Sequence, residues 1–432
     1  MHRRSFLTAS SATFVAAALP QARAAGVMEL PLYYPVAVGG PIAKILDGYA
    51  TAFHKANPDI VVRPVYTGNY IDTIAKTLTA LKSGGEGAPK MAVLLAVDIF
   101  SLLDQNVLVA MDDLDRNDST WLKSFYPAFM TNSIVNGKMW SVPFQRSTPV
   151  MFWNKEAFKA VGMEPDKAPE TWDAMSAAGA KLTKSINPQS PTTWGLNIPT
   201  SGSAHWLFQG LSIANGQPKL VSDDGATTYF DAPETVAALE YLVGLSRTQK
   251  IMAPGLLNWG TAPQDFFEKR CAMMWTTTGN LTDVKAHAKF DFGVGMLPKS
   301  KNFGAPTGGG NLYVFSNATP AERMAALKFI RFVTEPQLAA NWGIQTGYVA
   351  TSPAAWETEA MKSYVKNFPQ AIVARDQLKY AEPEICAHDN QRITKFMDDA
   401  LAAAVTGQKS PKEALSAAQA SASAVLARYR HG

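Results

Sequence analysis

The sequence of 432 residues is poor in the residue types that build most metal centres. It has two cysteines, Cys271 and Cys386, and six histidines. Two cysteines do not make a disulfide framework. They could still pair with each other, but Cys271 lies in an apolar run, which favours a buried free thiol. No His-x-x-x-His or His-Glu-x-x-His pair occurs, so a zinc hydrolase lacks its ligands. We therefore expect neither a metal nor a cofactor.

Two common catalytic motifs are also absent. The sequence has no Gly-x-Ser-x-Gly nucleophile elbow, and no Gly-Lys-Ser/Thr follows the glycine run at 308–310. The paired carboxylates of a glycosidase leave no spacing signal, because only their separation in space matters. An exported hydrolase is therefore kept as an alternative to a binding protein.

The first 25 residues carry the three parts of an export signal. Arg3-Arg4-Ser5-Phe6-Leu7 is a twin-arginine pattern, residues 14–19 form a short apolar run, and Ala22-Arg23-Ala24 is a cleavage site. The apolar run is much shorter than the roughly 20 residues that span a bilayer. No stop-transfer segment follows, which argues against the alternative of a membrane anchor. We expect a twin-arginine signal peptide at 1–25 and export to the periplasm.

The charge of the exported chain is nearly balanced. Without Arg3, Arg4 and Arg23, the 40 Lys and Arg residues fall to 37 against 36 Asp and Glu, a net charge of about +1. Nucleic-acid-binding and membrane-surface proteins usually carry a basic field. This balance argues against both partners, so any recognition of an anion has to come from a local group.

Length and hydrophobic patterning predict a two-domain α/β protein. About 400 residues exceed what one core usually holds. Short apolar runs alternate with helical patterns between residues 30 and 97, which is typical of a parallel sheet flanked by helices. Such sheets bind ligands beyond the carboxyl ends of their strands, where Tyr34, Tyr70 and Asp98 occur. Each of the three could instead be an ordinary surface or core residue.

A family resemblance is carried by a segment about a third of the way along the chain. After a hairpin signal at Asn136-Gly137, the polar elbow Phe144-Gln145-Arg146-Ser147-Thr148-Pro149 joins two apolar runs. Phe292-Gly293-Val294-Gly295-Met296-Leu297-Pro298 and Thr346-Gly347-Tyr348 follow in order. This ordered set resembles the maltose-binding-like class of extracytoplasmic solute-binding proteins of ABC importers. Within that class it is most similar to the branch that binds glycerol 3-phosphate.

The resemblance implies the type II periplasmic-binding-protein fold, in which two lobes, each a mostly parallel sheet flanked by helices, are joined by a multi-strand hinge. It places residues 26–145 and 291–334 in lobe 1, residues 146–290 and 335–432 in lobe 2, and crossings near 144–149, 288–295 and 330–336. A monomer that closes on a small molecule, with ABC permease subunits as partners, is also implied.

The resemblance further implies a set of ligand-binding residues. Eight residues stand at positions that bind the ligand in the resembled family, or in the same turn or glycine run as such a position. They are Tyr70, Ser147, Trp172, Thr277, Gly279, Gly309, Gly310 and Tyr348. Trp172 corresponds to a residue that stacks on the ligand, and its alternative role is to hold its own helix to the lobe. A glycine run can form an anion nest, although most such runs are loops.

Two positions depart from the family's pattern. The acid that accepts hydrogen bonds from glycerol hydroxyls is replaced by Ala96, with Asp98 two residues on. A late Arg is replaced by Thr394, with Arg392 two residues earlier. Arg146 stands where the family has a small polar residue, and we expect its guanidinium to bind a ligand oxyanion through two N–H groups. The alternative is an ion pair with a carboxylate at the hinge.

These residues predict a small anionic polyol ligand, such as glycerol 3-phosphate or a glycerophosphodiester. The missing acid weakens the case for free glycerol 3-phosphate, and a phosphonate or a sulfonated or acidic sugar fits equally well. A neutral sugar or oligosaccharide is the main alternative, because it accounts equally well for the aromatic residues.

Overall fold

The computed structural model describes residues 26–85, 87–115, 119–186 and 194–430. The predicted signal peptide at 1–25 lies outside the described residues. Within the described ranges, no helix combines the length and the apolar character that crossing a bilayer requires.

The described chain contains thirteen short strands and nineteen α-helices, with runs of consecutive helices at 99–130 and 320–377. The strands are β1 Met28–Tyr34, β2 Ile60–Tyr66, β3 Met91–Leu95, β4 Ile134–Val135, β5 Lys138–Met139, β6 Val142–Ser147, β7 Pro149–Asn154, β8 Trp194–Asn197, β9 Cys271–Thr277, β10 Phe292–Gly295, β11 Ala305–Pro306, β12 Gly308–Val314 and β13 Ala381–Glu382. The helices are α1 Ile42–Ala56, α2 Tyr70–Ser83, α3 Ile99–Leu103, α4 Met111–Leu114, α5 Ser119–Leu122, α6 Pro127–Met130, α7 Lys155–Ala160, α8 Trp172–Ile186, α9 Ala204–Ala214, α10 Pro233–Arg247, α11 Ala262–Phe267, α12 Leu281–His287, α13 Pro320–Val333, α14 Pro336–Thr346, α15 Pro353–Trp356, α16 Glu359–Asn367, α17 Val373–Gln377, α18 Asn390–Thr406 and α19 Pro411–Leu426.

Two main sheets form the centres of the two lobes. The first has the strand order β2-β1-β3-β12-β6, and the second has the order β10-β7-β9-β8. The expectation of mostly parallel sheets is wrong in detail. In the first sheet β12 runs antiparallel to both of its neighbours, and in the second only the β8–β9 pair is parallel. Each sheet is mixed because its strands come from separate segments of the chain, which crosses between the lobes several times.

The crossings between the sheets are short. Thr148 alone separates β6 in the first sheet from β7 in the second, within the first predicted crossing. The second crossing lies later than predicted, because β10 pairs with β7 and the chain returns only between Gly295 and Gly308. The boundary at 291 therefore assigns β10 to the wrong lobe. Near the third crossing α14 contacts both lobes. The ring centroids of Trp342 in α14 and Phe144 in β6 are 4.6 Å apart, and the helix also contacts α12 and α16.

The hairpin predicted from Asn136-Gly137 is present. β4 and β5 pair through Ile134–Met139 and Val135–Lys138. Both turn residues have positive φ, 52° at Asn136 and 73° at Gly137. A two-residue turn with φ above zero at both positions matches the twist of its strands, and Asn-Gly adopts it with little strain.

Close packing of β10 on β7 gives a stability prediction. A β-carbon at Gly293 would lie 2.0 Å from the ring of Trp153. Gly293→Ala is therefore expected to lower the free energy of unfolding by about 1–3 kcal/mol, the usual cost of overpacking. Urea denaturation measures the change.

Gly48→Ala is the matched control. Gly48 lies inside α1 with nothing within 4 Å of its added β-carbon. Alanine favours helix over glycine by up to about 1 kcal/mol, so the same substitution should stabilise here. If both variants moved stability in the same direction, the packing argument for Gly293 would be wrong.

Candidate ligand-binding cavity

A cavity of about 700 Å³ lies between the two sheets. Strand ends and helix starts from both lobes line it, as expected where ligands bind beyond the ends of strands. The cavity brings together six of the residues predicted from the sequence, namely Tyr70, Asp98, Ser147, Thr277, Gly309 and Tyr348. They come from parts of the chain nearly 280 residues apart, so only the tertiary fold makes them neighbours.

Two tyrosines in the cavity wall are held by one glutamine. The Gln145 amide nitrogen donates to the hydroxyl oxygens of Tyr70 at 2.8 Å and Tyr348 at 3.1 Å. Burial raises the pKa of Tyr348 to about 12 and that of Tyr70 well above its usual range. Both phenols are therefore neutral at physiological pH. Each oxygen accepts from Gln145, and the two phenols also interact with each other, so the pair keeps at least one hydroxyl proton for another acceptor.

The residues Ser147 and Thr277, which carry aliphatic hydroxyl groups, line the cavity together with these two tyrosines. Ser147 ends β6, and Thr277 ends β9. The Thr277 hydroxyl accepts from the backbone N–H of Gly279 at 3.1 Å, which leaves the hydroxyl proton to donate elsewhere. Together with the tyrosines they form a cluster of four hydroxyl groups, Tyr70, Ser147, Thr277 and Tyr348, that we call the hydroxyl cluster.

The glycine run at the start of β12 permits close packing around the cavity. Gly309 has φ of +89°, and a β-carbon there would lie 2.0 Å from the backbone oxygen of Gln145. A β-carbon at Gly308 would lie 2.5 Å from the indole of Trp206. Gly310 lies behind the wall, against Val93 and the ring of Tyr70, and does not line the cavity. The run therefore serves packing, with only Gly309 facing the cavity.

Two buried carboxylates, Asp98 and Glu384, also line the cavity. Asp98 is 2% exposed and Glu384 is 7% exposed, and each has one oxygen without a hydrogen-bond partner among the described residues. Burial, and then the charge of Glu384, raise the pKa of Asp98 to about 8. Burial raises the pKa of Glu384 to about 7. A protonated carboxyl donates as well as accepts, and unpartnered buried polar groups are costly, so these groups are suited to exchange hydrogen bonds with ligand hydroxyls.

Glu384 was not predicted from the sequence, because it lies in a loop with no local signal. The Gln209 side chain of α9 positions it. Its amide nitrogen donates to the backbone oxygen of Pro383 at 2.8 Å, and its oxygen accepts from the backbone N–H of Ile385 at 3.0 Å. This pair of bonds fixes the residues on both sides of Glu384.

Aromatic side chains form another part of the wall. Trp206 and Trp259 meet edge to face with ring centroids 5.8 Å apart, and both line the cavity. The Trp206 indole donates to the backbone oxygen of Thr307 at 2.9 Å, which fixes its orientation. In the sequence Trp206 is only a weak candidate in polar surroundings, and Trp259 carries no recognisable signal.

Arg146 does not line the cavity. Its side chain is fully buried and donates through Nη1 to the backbone oxygen of Gly309 at 3.0 Å and to Asn311 Oδ1 at 3.3 Å. Its guanidinium also lies 5.1 Å from the ring centre of Phe129, and burial lowers its pKa to about 10. Alternate residues of a strand face opposite sides, so Arg146 points away from its neighbour Ser147.

The structure therefore corrects the expectation that the Arg146 guanidinium grips the ligand directly. The alternative ion pair is absent too, because no carboxylate oxygen of the described residues lies within 4.0 Å of Arg146. Its charge is instead buried behind the β12 backbone, where Glu384 is close enough to favour the charged form.

Four other predicted residues also lie off the cavity. Trp172 is in the core of the second lobe, stacked on Tyr241 with ring centroids 4.0 Å apart, so its alternative role is the one observed. Tyr34 packs into the core of the first lobe and against Tyr66. Gly279 lies against the Tyr348 ring. The exposed Arg392 of α18 lies over Phe396 and does not line the cavity.

No group of three or more His, Cys, Asp or Glu side chains within the described ranges is arranged to hold a metal ion. Cys271 and Cys386 are both free thiols, which answers the question of their pairing.

Comparison with known proteins identifies the family. The family model of the bacterial extracellular solute-binding proteins matches residues 48–369. The chain belongs to this family. Its members bind small molecules and work with ABC importers, so the family resemblance seen in the sequence is confirmed.

The similar proteins extend over almost the whole chain. The Pectobacterium atrosepticum protein named sn-glycerol-3-phosphate-binding periplasmic protein UgpB is 27% identical over 449 residues, covering 99% of this chain and 98% of its own. UgpB from Mycobacterium tuberculosis in complex with glycerophosphocholine has a TM-score of 0.81 at 24% identity, covering 92% of this chain and 99% of its own. Maltose-bound MalE3 of T. maritima has a TM-score of 0.78 at 19% identity, covering 92% and 100%.

These likenesses confirm the two-lobed type II fold. The relatives are transport proteins that bind their substrates, in line with the prediction that the chain is not an enzyme.

Trp206 lines the cavity and Trp172 lies in the core of the second lobe, so replacing each of them should have a different effect on this solute-binding protein. Trp206→Ala removes part of the cavity wall and is expected to weaken ligand binding by about 1–3 kcal/mol. Trp172→Ala removes core packing and should lower the free energy of unfolding by about 3–5 kcal/mol while leaving affinity unchanged. Calorimetry with glycerol 3-phosphate, glycerophosphocholine and maltose, together with urea denaturation, separates the two effects. A larger loss of affinity in Trp172→Ala would contradict the assignment.

The raised pKa of Asp98 predicts how stability depends on pH. The folded protein holds this proton up to a pKa of about 8, whereas an unfolded Asp loses it near pH 3.9. Between these values the folded state binds more protons, so the ligand-free protein should lose stability as the pH rises from about 4 to about 8. Asp98→Asn should flatten this dependence, and the exposed Asp47→Asn should leave it unchanged. Thermal melting between pH 5 and pH 8 is the measurement. An equally steep curve in Asp98→Asn would show that the carboxyl is already ionised in the folded state.

Proposed function

We propose that this protein is the periplasmic binding component of an ABC importer and that its ligand is a small polyol bearing a phosphate or similar oxyanion, such as glycerol 3-phosphate or a glycerophosphodiester. The observation that carries the proposal is the cavity between the lobes, in which the hydroxyl cluster and two buried carboxylates face one space. We further propose that the protein acts as a monomer exported by its twin-arginine signal and that its lobes close on the ligand.

The hydroxyl cluster supports binding of an oxyanion. Phosphate oxygens accept several hydrogen bonds each, and donors need not be charged to serve them. Tyr70 and Tyr348 keep their protons because their pKa values are raised. The buried charge of Arg146 lies behind Gly309 and makes the local potential more positive without touching the ligand.

The two carboxylates support recognition of a polyol. Asp98 and Glu384 each present an unpartnered oxygen in the cavity wall. A glycerol hydroxyl that donates to such an oxygen removes a buried unsatisfied acceptor. Asp98 can thus perform the role of the family's missing acid, from a position two residues later.

The names of the relatives agree with this ligand class. Relatives similar over nearly their full length are named for sn-glycerol 3-phosphate, and one structural neighbour is a complex with glycerophosphocholine. A neutral sugar is a second candidate, favoured by the wall of Trp206 and Trp259, because sugars stack on flat aromatic faces.

A ligand panel with hydroxyl-deletion variants tests the proposal. Calorimetry on the wild type should give binding of glycerol 3-phosphate or glycerophosphocholine that is tighter than binding of maltose. Tyr348→Phe and Tyr70→Phe each remove one donor to a charged acceptor, so each should weaken binding of the phosphate ligand by about 1.5–3 kcal/mol, or about 10- to 150-fold. Tyr241→Phe is the control, because that hydroxyl donates to the backbone oxygen of Trp172 in the second lobe. Tight binding of maltose with no binding of either phosphate compound would establish the neutral sugar instead.

A further inference from the structure

A histidine that the sequence did not single out is anchored in the cavity wall. His205 occupies the second position of α9, and its side chain is 13% exposed. Its Nδ1 lies 3.0 Å from both carboxylate oxygens of Asp398 on α18. The backbone N–H of His205 also donates to Asp398 Oδ1, at 2.8 Å. Two contacts hold the ring and one holds the backbone of His205 to the same carboxylate.

The anchoring leaves the other ring nitrogen for a ligand. Ionised carboxylate oxygens only accept hydrogen bonds, so Nδ1 of His205 carries a proton. Nε2 has no hydrogen-bond partner among the described residues, although His205 lines the cavity. A histidine whose ring is held through one nitrogen can form a hydrogen bond to a bound ligand through the other.

The backbone before α9 is unusual at the same place. Ser203 has φ of +80° and Gly202 has φ of +74°, and both line the cavity. A non-glycine residue in the left-handed region is strained, and such residues cluster at ligand sites. The chain therefore accepts strain where it starts the helix that carries His205.

Glu384 lies near the same ring. Its charge favours the protonated form of His205, yet no oxygen of Glu384 comes within ion-pair distance, 4.0 Å, of the imidazole. Both side chains line the cavity. A ligand atom can therefore interact with His205 and Glu384 at once, instead of the two residues satisfying each other.

We propose that His205 is a ligand-binding residue whose Nε2 contacts the polyol ligand, with Asp398 as its positioning residue and Glu384 accepting a hydroxyl of the same ligand. This inference rests on the proposed function. It assigns a specificity role, because a protonated ring donates to an oxyanion, whereas a neutral ring can only accept from a hydroxyl.

The charge of the ring makes binding sensitive to pH. Asp398 raises the pKa of His205 above 6.5 despite its burial. An oxyanion at Nε2 raises it further, so binding takes up a proton above this pKa and affinity falls as the pH rises. Besides Asp398, the other titratable groups at the cavity are Glu384, Asp98, Lys395, Tyr70 and Tyr348. Protonation of either carboxylate on binding would also take up a proton, so their contribution has to be measured separately.

The chain provides a matched control for His205. His388 forms a pair of the same geometry, with Nδ1 3.0 Å from both oxygens of Asp104, but it does not line the cavity. His388 stacks on Tyr429 instead, with ring centroids 4.0 Å apart. Replacing His205 or His388 removes one His–Asp pair in each case. Only the replacement of His205 also removes a ring nitrogen from the cavity wall.

Calorimetry at pH 7.5 in two buffers of different ionisation enthalpy tests the inference, because the comparison gives the number of protons taken up on binding. Glycerophosphocholine is the ligand for proton uptake, since its phosphodiester does not titrate near neutral pH. Affinity is also measured with glycerol 3-phosphate. The wild type should take up protons on binding. His205→Gln should bind about 10-fold more weakly, as for loss of one charge-assisted hydrogen bond, and take up fewer protons. His388→Gln should match the wild type, and Glu384→Gln, which removes the proton uptake of that carboxyl, should still take up protons through His205. Wild-type affinity and uptake in His205→Gln would overturn the inference, whereas a wild type that binds neither compound would overturn the proposed function.

A measurement on the wild type covers the case in which His205→Gln fails to fold. The ¹⁵N signals of the His205 ring, assigned by elimination with variants that replace each of the other histidines in turn, report each nitrogen separately. Saturating glycerophosphocholine should shift the Nε2 signal and leave Nδ1, which Asp398 holds, nearly unchanged. An unmoved Nε2 signal in a protein that calorimetry shows to be fully bound would exclude contact with His205.

Discussion

The cleft depends on how the backbone is held by hydrogen bonds where the chain crosses between two buried sheets. At the first crossing the backbone oxygen of Thr148 accepts from Thr278, while the side chain of Gln377 donates to the Thr148 hydroxyl at 2.9 Å and to the Pro149 oxygen at 2.7 Å. The oxygen of the same amide accepts from Leu297, just after β10, at 2.8 Å. One glutamine thus ties two crossings together, beside the ends of β6 and β9 where Ser147 and Thr277 lie.

The phenol and carboxyl groups of the cavity wall keep their protons to a higher pH than usual. Tyr70 and Tyr348 stay protonated because they are buried, and the carboxyl groups of Asp98 and Glu384 hold their protons more tightly than usual for the same reason. The guanidinium of Arg146 is kept behind the β12 backbone, where it touches neither set. Recognition therefore relies on the directions of hydrogen bonds more than on net charge, which suits a ligand with both hydroxyl groups and an oxyanion.

Local signals in the sequence predicted much of the fold and part of the cavity. Asn136-Gly137 defined its hairpin, and Ser147 and Tyr70 lie where strand ends and helix starts meet. The period of a strand could also have placed Arg146 opposite Ser147, but the family resemblance directed attention to its charge. The choice between Trp172 and Trp206 was not predictable, because it depends on packing against Tyr241, 69 residues away. His205 and Glu384 depend on partners 193 and 175 residues distant, Asp398 and Gln209, for which the sequence has no local signal.

The place of β12 in the first sheet has a consequence for how the protein is made. This strand, Gly308–Val314, lies between β3 and β6, so those two strands have no direct hydrogen bonds to each other. A chain that emerges from the ribosome amino end first can pair β1, β2 and β3 early. It cannot join them to β6 until Val314 has been synthesised. The second sheet needs only β7 to β10, which end at Gly295. Its strands are therefore all available before those of the first sheet, although the first sheet begins nearer the amino terminus, and a half-made chain exposes the edge of β3 for more than 200 residues of synthesis.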